Sequence, residues 1–120
     1  MPKDKGPGKT DKRKQLKEFY KHSKTDMGVY IIRSLSGCYR IESAHDLKGS
    51  INGAVFRLNL GNHPDKELQM AWTEQGENNF VIEILEKLEY DKDESKTDYS
   101  EELAILKQIW EEKMSDNRLD

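Results

Sequence analysis

The sequence predicts an α+β domain built on a small three-stranded antiparallel sheet flanked by helices, and three observations carry that prediction. Two short apolar runs, Val29–Ile32 and Cys38–Ile41, are separated only by RSLSG, and Gly37 suits a turn residue at positive φ. The stretch NNFVIEILEKLEY alternates Phe80, Ile82 and Ile84 against Val81, Glu83 and Leu85, the period of a third strand. Between and after these strands, apolar residues recur at helical spacing in three stretches.

Each element can be justified in chain order. MPKDKGPGK offers nothing to bury, so residues 1–10 read as a disordered basic arm. Leu16, Phe19 and Tyr20 fall at i, i+3 and i+4, which predicts a helix from roughly Asp11 to His22 within an N-terminal segment 11–24. The strands are expected at Gly28–Arg33 and Cys38–Ser43 as a hairpin, and at Phe80–Leu85. Asp46 is a good N-cap for a helix whose apolar side is Leu47, Ile51, Val55 and Leu58 and whose end is Gly61. The next helix carries Glu67 in its first turn, Leu68, Ala71, Trp72 and Gln75 on one side, and stops at Gly76. Asp98 with Glu101 makes a start resembling a capping box for the last helix, with Leu103, Leu106, Ile109 and Trp110 as its buried stripe. The ordered domain is therefore 25–115, followed by a tail at 116–120.

Composition narrows the function classes. At 120 residues, 34% apolar and 36% charged, the chain supports one domain with a modest core. No apolar run approaches the ~18 residues that would span a membrane, and the basic N-terminus lacks the apolar stretch of a secretory signal. The lone Cys38 excludes an internal disulfide framework and fits a cytoplasmic location. With His22, His45 and His63 scattered, no zinc-ligand pattern is present. Residues 1–24 hold nine basic against three acidic side chains, net +6, whereas 83–120 hold six against thirteen, net −7. A basic arm including Lys12, Arg13 and Lys14 can neutralise phosphates, but an acidic C-terminal third repels the same polyanion.

Taken in sequence, GVY on the first strand, a tyrosine on the second, a helix opened by DLK and then NHPDKELQMAWTEQGENNFVIEILEKLEY resemble the GIY-YIG nuclease superfamily. The resemblance covers about Met27 to Lys113 and is closest from Asn62 to Leu88. It implies metal-dependent cleavage of DNA at a site made of a tyrosine from each strand, an arginine and often a histidine on the first long helix, and a glutamate on a later helix. That glutamate would hold Mg2+ or Mn2+ against the scissile phosphate. On this register Tyr30 matches the first tyrosine and Glu102 the metal-binding glutamate.

Several positions depart from the pattern. The second tyrosine is either Tyr39, with one extra residue before DLK, or is replaced by Arg40 in an ungapped register that puts Glu42 where a glycine belongs. The helix arginine and histidine fall at Ser50 and Ala54; Arg57, two turns beyond Ser50, and Arg40 are the remaining candidates for phosphate contact. Loss of a phosphate-binding arginine costs about 10³–10⁵ in comparable phosphoryl chemistry. The expectation is thus a catalytically impaired domain that binds nucleic acid or protein. An active metal-dependent endonuclease using Tyr30, Tyr39 and Glu102 is the alternative, and a structural or regulatory protein without a nucleic-acid partner is the third reading.

Overall fold

The structure, a computed structural model, describes residues 24–119, with side chains through Ser115. The expected arm 1–10, most of segment 11–24, and Lys12, Arg13 and Lys14 lie outside the described residues. Two strands come first, β1 (Met27–Ser34) and β2 (Tyr39–Ala44), followed by helices α1 (Leu47–Leu60) and α2 (Lys66–Gln75). A 3₁₀ turn at Glu77–Asn79 leads into β3 (Phe80–Leu88), and α3 (Ser100–Leu119) closes the chain. The strands form one antiparallel sheet in the order β2-β1-β3.

The central place of β1 explains its unbroken apolar run. Val29, Tyr30, Ile31 and Ile32 are each at most 2% exposed because helices cover both faces of the middle strand. Tyr30 and Ile32 face α1 and α2 and pack with Leu47, Ala54, Leu58, Leu68 and Trp72. Val29 and Ile31 face the other way and pack with Ile41 against Leu106, Trp110 and Met114 of α3. A bulge opposite Val29 and Tyr30 interrupts the β1–β3 register. It leaves Leu85 in the α3 core and Glu86 where it accepts a 2.9 Å hydrogen bond from Trp110 Nε1. Gly28 sits beside this irregularity, and a Cβ there would collide with the Glu86 carbonyl oxygen.

The local signals act as their chemistry dictates. Gly37 takes φ 110° in the hairpin turn, a left-handed conformation that other residues adopt only under strain. Asp46 caps α1 by accepting from Gly49 N–H, and Asp65 caps α2 by accepting from Leu68 N–H. Two expectations need correction on α3. Asp98 accepts from the N–H and hydroxyl of Ser100 instead of closing a box with Glu101, so the helix begins at Ser100. Ile109 is 43% exposed; the buried stripe runs Leu103, Leu106, Trp110 and Met114, with Tyr99 (3% exposed) just before the helix. The backbone also stays helical to Leu119, through most of the expected tail.

Candidate functional site at the β2 edge

Because β2 is an edge strand, its side chains meet the start of α2 and the middle of α3 around one open end of the sheet. Register decides which of them share a face. Tyr30 stands opposite Glu42, and Ile32 opposite Arg40, so Tyr30, Arg40 and Glu42 lie together on the α1 side. Tyr39 is opposite Arg33 and packs in the α3 core with Ile31 and Leu106. The two tyrosines expected in one site are therefore on opposite faces of the sheet, because the side-chain period of a strand is two. Of the two second-strand residues left open by the sequence, the structure puts Arg40 on the Tyr30 face, one pleat along from Glu42, which stands directly opposite Tyr30.

The Tyr30 hydroxyl lies 2.9 Å from the Ser50 hydroxyl of α1, where the family pattern has its arginine. Burial pushes the Tyr30 phenol above its ordinary value, and the nearby Glu42 carboxylate adds to that, against the Ser50 hydrogen bond, Arg40 and Arg57.

Arg40 ties the edge together. Its Nε donates to Glu42 Oε2 at 2.7 Å and its guanidinium reaches Asp65 Oδ2 at 2.9 Å. Lys107, from α3, closes the other side of Glu42 at 3.4 Å. Burial works against the charged form of both Arg40 and Asp65. The hydrogen bonds to Glu42 and Asp65 outweigh it for Arg40, raising its pKa, and the Leu68 N–H with Arg40 outweighs it for Asp65, lowering its pKa. His63 completes this cluster. It is 8% exposed, and its Nδ1 accepts from Asp65 N–H at 3.0 Å, so the ring is neutral there. Burial first and the Arg40 charge second hold its pKa below the usual histidine value. Between these groups lies a pocket of about 370 Å³ lined by Tyr39, Arg40, Ile41, Asp65, Lys107 and Glu111.

Glu102 is placed elsewhere. Its partner is Lys96, on the loop entering α3, and that ion pair holds the Glu102 carboxyl below its ordinary value. The groups that act on the Tyr30 hydroxyl are instead Ser50, Glu42, Arg40 and Arg57, so Arg57 is close enough for its charge to be felt. The residue of α3 that reaches the Tyr30 side of the edge is Lys107, five residues beyond Glu102. Asp65, His63 and Lys107 escaped the sequence reading. Lys107 could have been found there, since it falls four residues after Leu103 and one after Leu106, at the margin of the buried stripe.

A divalent metal tests poorly against these donors. Mg2+ and Mn2+ take oxygen ligands that are free to give up their charge to the ion. Glu42 is already bonded to Arg40 and Lys107, and Asp65 to Arg40 and the α2 backbone. Among the described residues, three or more His, Cys, Asp or Glu side chains nowhere gather into a potential metal site. The residues present at the β2 edge do not fit the ion.

No known protein-family profile and no curated protein sequence matches the chain. Solved structures do. The catalytic domain of the homing endonuclease I-TevI superposes with a TM-score of 0.59 at 24% identity, covering 74% of this chain and 88% of that one. A glutamate-to-alanine mutant of the catalytic domain of intron endonuclease I-TevI matches with a TM-score of 0.50 at 30% identity, over 57% of this chain and 71% of that one. The shared sheet, the helices on both faces and this likeness agree with the motifs GVY, DLK and NHPDKELQ, and the chain belongs to the GIY-YIG nuclease superfamily.

Proposed function

We propose that this domain keeps the GIY-YIG scaffold, has lost phosphodiester cleavage, and works as a nucleic-acid-binding module in the cytoplasm. The observation that supports the loss is the closed network Arg40–Glu42–Lys107 with Asp65, in which each of the two cations is matched by a carboxylate of the same protein. A phosphate approaching this edge would have to displace Glu42 from Arg40, and Glu42 itself repels it. Ser50 offers the Tyr30 side a neutral hydroxyl where charge on phosphoryl oxygens needs a cation. The acidic surface of the domain leaves contact with phosphates to the basic N-terminal arm, with Arg57 as the nearest cation on α1.

Two measurements test this reading. With Mg2+ or Mn2+, the natural sequence is expected to leave plasmid DNA unnicked. Robust nicking, abolished by Glu102→Ala or Tyr30→Phe, would overturn the proposal in favour of an active endonuclease. Combining Glu42→Gly, Ser50→Arg and Lys107→Glu should restore measurable nicking, because it opens the strand, adds a cation and supplies an unpaired carboxylate. Binding is tested separately on a generic duplex at two salt concentrations. Changing Lys12, Arg13 and Lys14 together to alanine should flatten the log–log salt slope by about 2–3, given roughly 0.9 per phosphate contact. An unchanged slope, or no binding at low salt, would favour a protein partner.

A further inference from the structure

On the same face of the sheet as the Arg40 network but at its opposite edge, a groove of about 590 Å³ runs between α1 and the open edge of β3. Leu47, Ile51 and Ile84 supply its apolar lining, and Lys24, Thr25 and Asp26 form one end. Ile84 is 46% exposed although its cross-strand partner Tyr30 is 2% exposed. The groove thus leaves a large side chain in water on a face that is otherwise covered.

The chain arrives at this groove firmly anchored. Tyr90 donates from its hydroxyl to the Thr25 carbonyl at 2.6 Å, Thr25 Oγ1 donates to the His45 carbonyl at 2.8 Å, and Leu47 N–H donates to the Asp26 carbonyl at 2.8 Å. The 23 residues that precede Lys24 therefore start at its mouth. They contain Leu16, Phe19 and Tyr20 at helical spacing, and eight basic against three acidic side chains, net +5. Residues 24–120 hold twelve basic against twenty acidic side chains, net −8. Apolar stripe meets apolar groove, and basic segment meets acidic body.

We propose that residues 11–23 of this same chain occupy the groove, with Leu16, Phe19 and Tyr20 covering Ile51 and Ile84. The tether is short: Tyr20 precedes Lys24 by four residues, at most about 14 Å of extended chain. Over such a tether the effective concentration is on the order of millimolar. Contacts too weak to hold a free peptide then hold the segment in place. The inference does not depend on nucleic-acid binding. Where that binding also holds, docking and phosphate contact draw on the same segment and compete.

The test uses the full chain and limited trypsin digestion, following cleavage after Lys17 and Lys21 by mass spectrometry. Docking is expected to slow these cuts about ten-fold relative to an open segment, because cleavage then tracks the undocked population. Ile84→Asp, at a half-exposed position, and separately the pair Leu16→Asp with Phe19→Asp, which leaves the body untouched, should each abolish that protection. Equal cleavage rates in the natural chain and the Leu16→Asp/Phe19→Asp variant overturn the proposal. Protection that vanishes on ten-fold dilution overturns it too, since it would show the groove filled by a second copy. Protection independent of dilution and lost in both variants establishes docking within one chain.

Discussion

The two edges of the sheet handle the same problem in opposite ways. An edge strand exposes unpaired backbone groups and half of its side chains, and proteins blunt such edges with charge or cover. Along β2, six residues long, the side chains of Arg40 and Glu42 are gripped by Asp65 from the start of α2 and by Lys107 from α3. Along β3, nine residues long, Val81 and Ile84 are 36% and 46% exposed, and its ion pairs, Arg33–Glu83 and Lys87–Asp26, sit mostly in water. The short edge is where the nuclease pattern would put its chemistry, and here ion pairs among Arg40, Glu42, Asp65 and Lys107 form a clasp across it. The long edge carries no such device among the described residues and lies beside the groove where the N-terminal segment arrives.

That contrast can be broken by mutation, and the largest effect is expected at Arg40. Arg40→Ala removes hydrogen bonds to two carboxylates and leaves both half-buried with fewer partners. A cost of about 2 kcal/mol follows from the usual worth of charge-assisted bonds, seen as a loss of roughly 10 °C in the thermal midpoint for a domain of this size. A change of only a degree or two would show that the β2 clasp is ornamental.

Acid should weaken the clasp next. His63 accepts a hydrogen bond at Nδ1 and is held below the ordinary histidine value of 6.5, so the unfolded chain binds the proton more readily than the folded one. Its contribution is complete above pH 6.5 and declines as the pH falls below that value, by at most about 1.4 kcal/mol per pH unit. Denaturant melts at pH 7.5 and 5.5 measure it, and His63→Asn, which keeps an acceptor but does not titrate, should flatten the dependence. Stability that rises on acidification would contradict the neutral ring.

Smaller still is Tyr30→Phe, which removes the hydroxyl bonded to Ser50 while keeping the buried ring. About 1 kcal/mol is expected, the common net value of such a bond. The smallest effect belongs to the open edge. Glu83→Gln breaks an ion pair whose two side chains are about half exposed, and chemical denaturation should register no more than ~0.5 kcal/mol. If Glu83→Gln were to cost as much as Arg40→Ala, the two edges would be equivalent after all.

Much of this molecule is legible in its sequence because its signals are local. Alternation at Phe80–Leu85, the cap Asp46, and the glycines that turn or close the chain act within a few residues, so strands and helices fall close to where they were expected. Tyr30 was recognisable for the same reason, standing in GVY on a strand buried on both sides. Which residues share a site is a different matter. One pleat of register separates Tyr39 from Arg40, and only pairing with β1 settles that Arg40 lies with Tyr30 while Tyr39 turns into the α3 core. The turn of α3 that comes to rest against β2 likewise decides that Lys107, and not Glu102, meets Glu42. Composition, element order and family membership were written into the order of the residues, through propensity, capping and period. The clasp joins Arg40, Glu42, Asp65 and Lys107, spread over 68 positions of chain, and such contacts exist only once the sheet and both helices have docked.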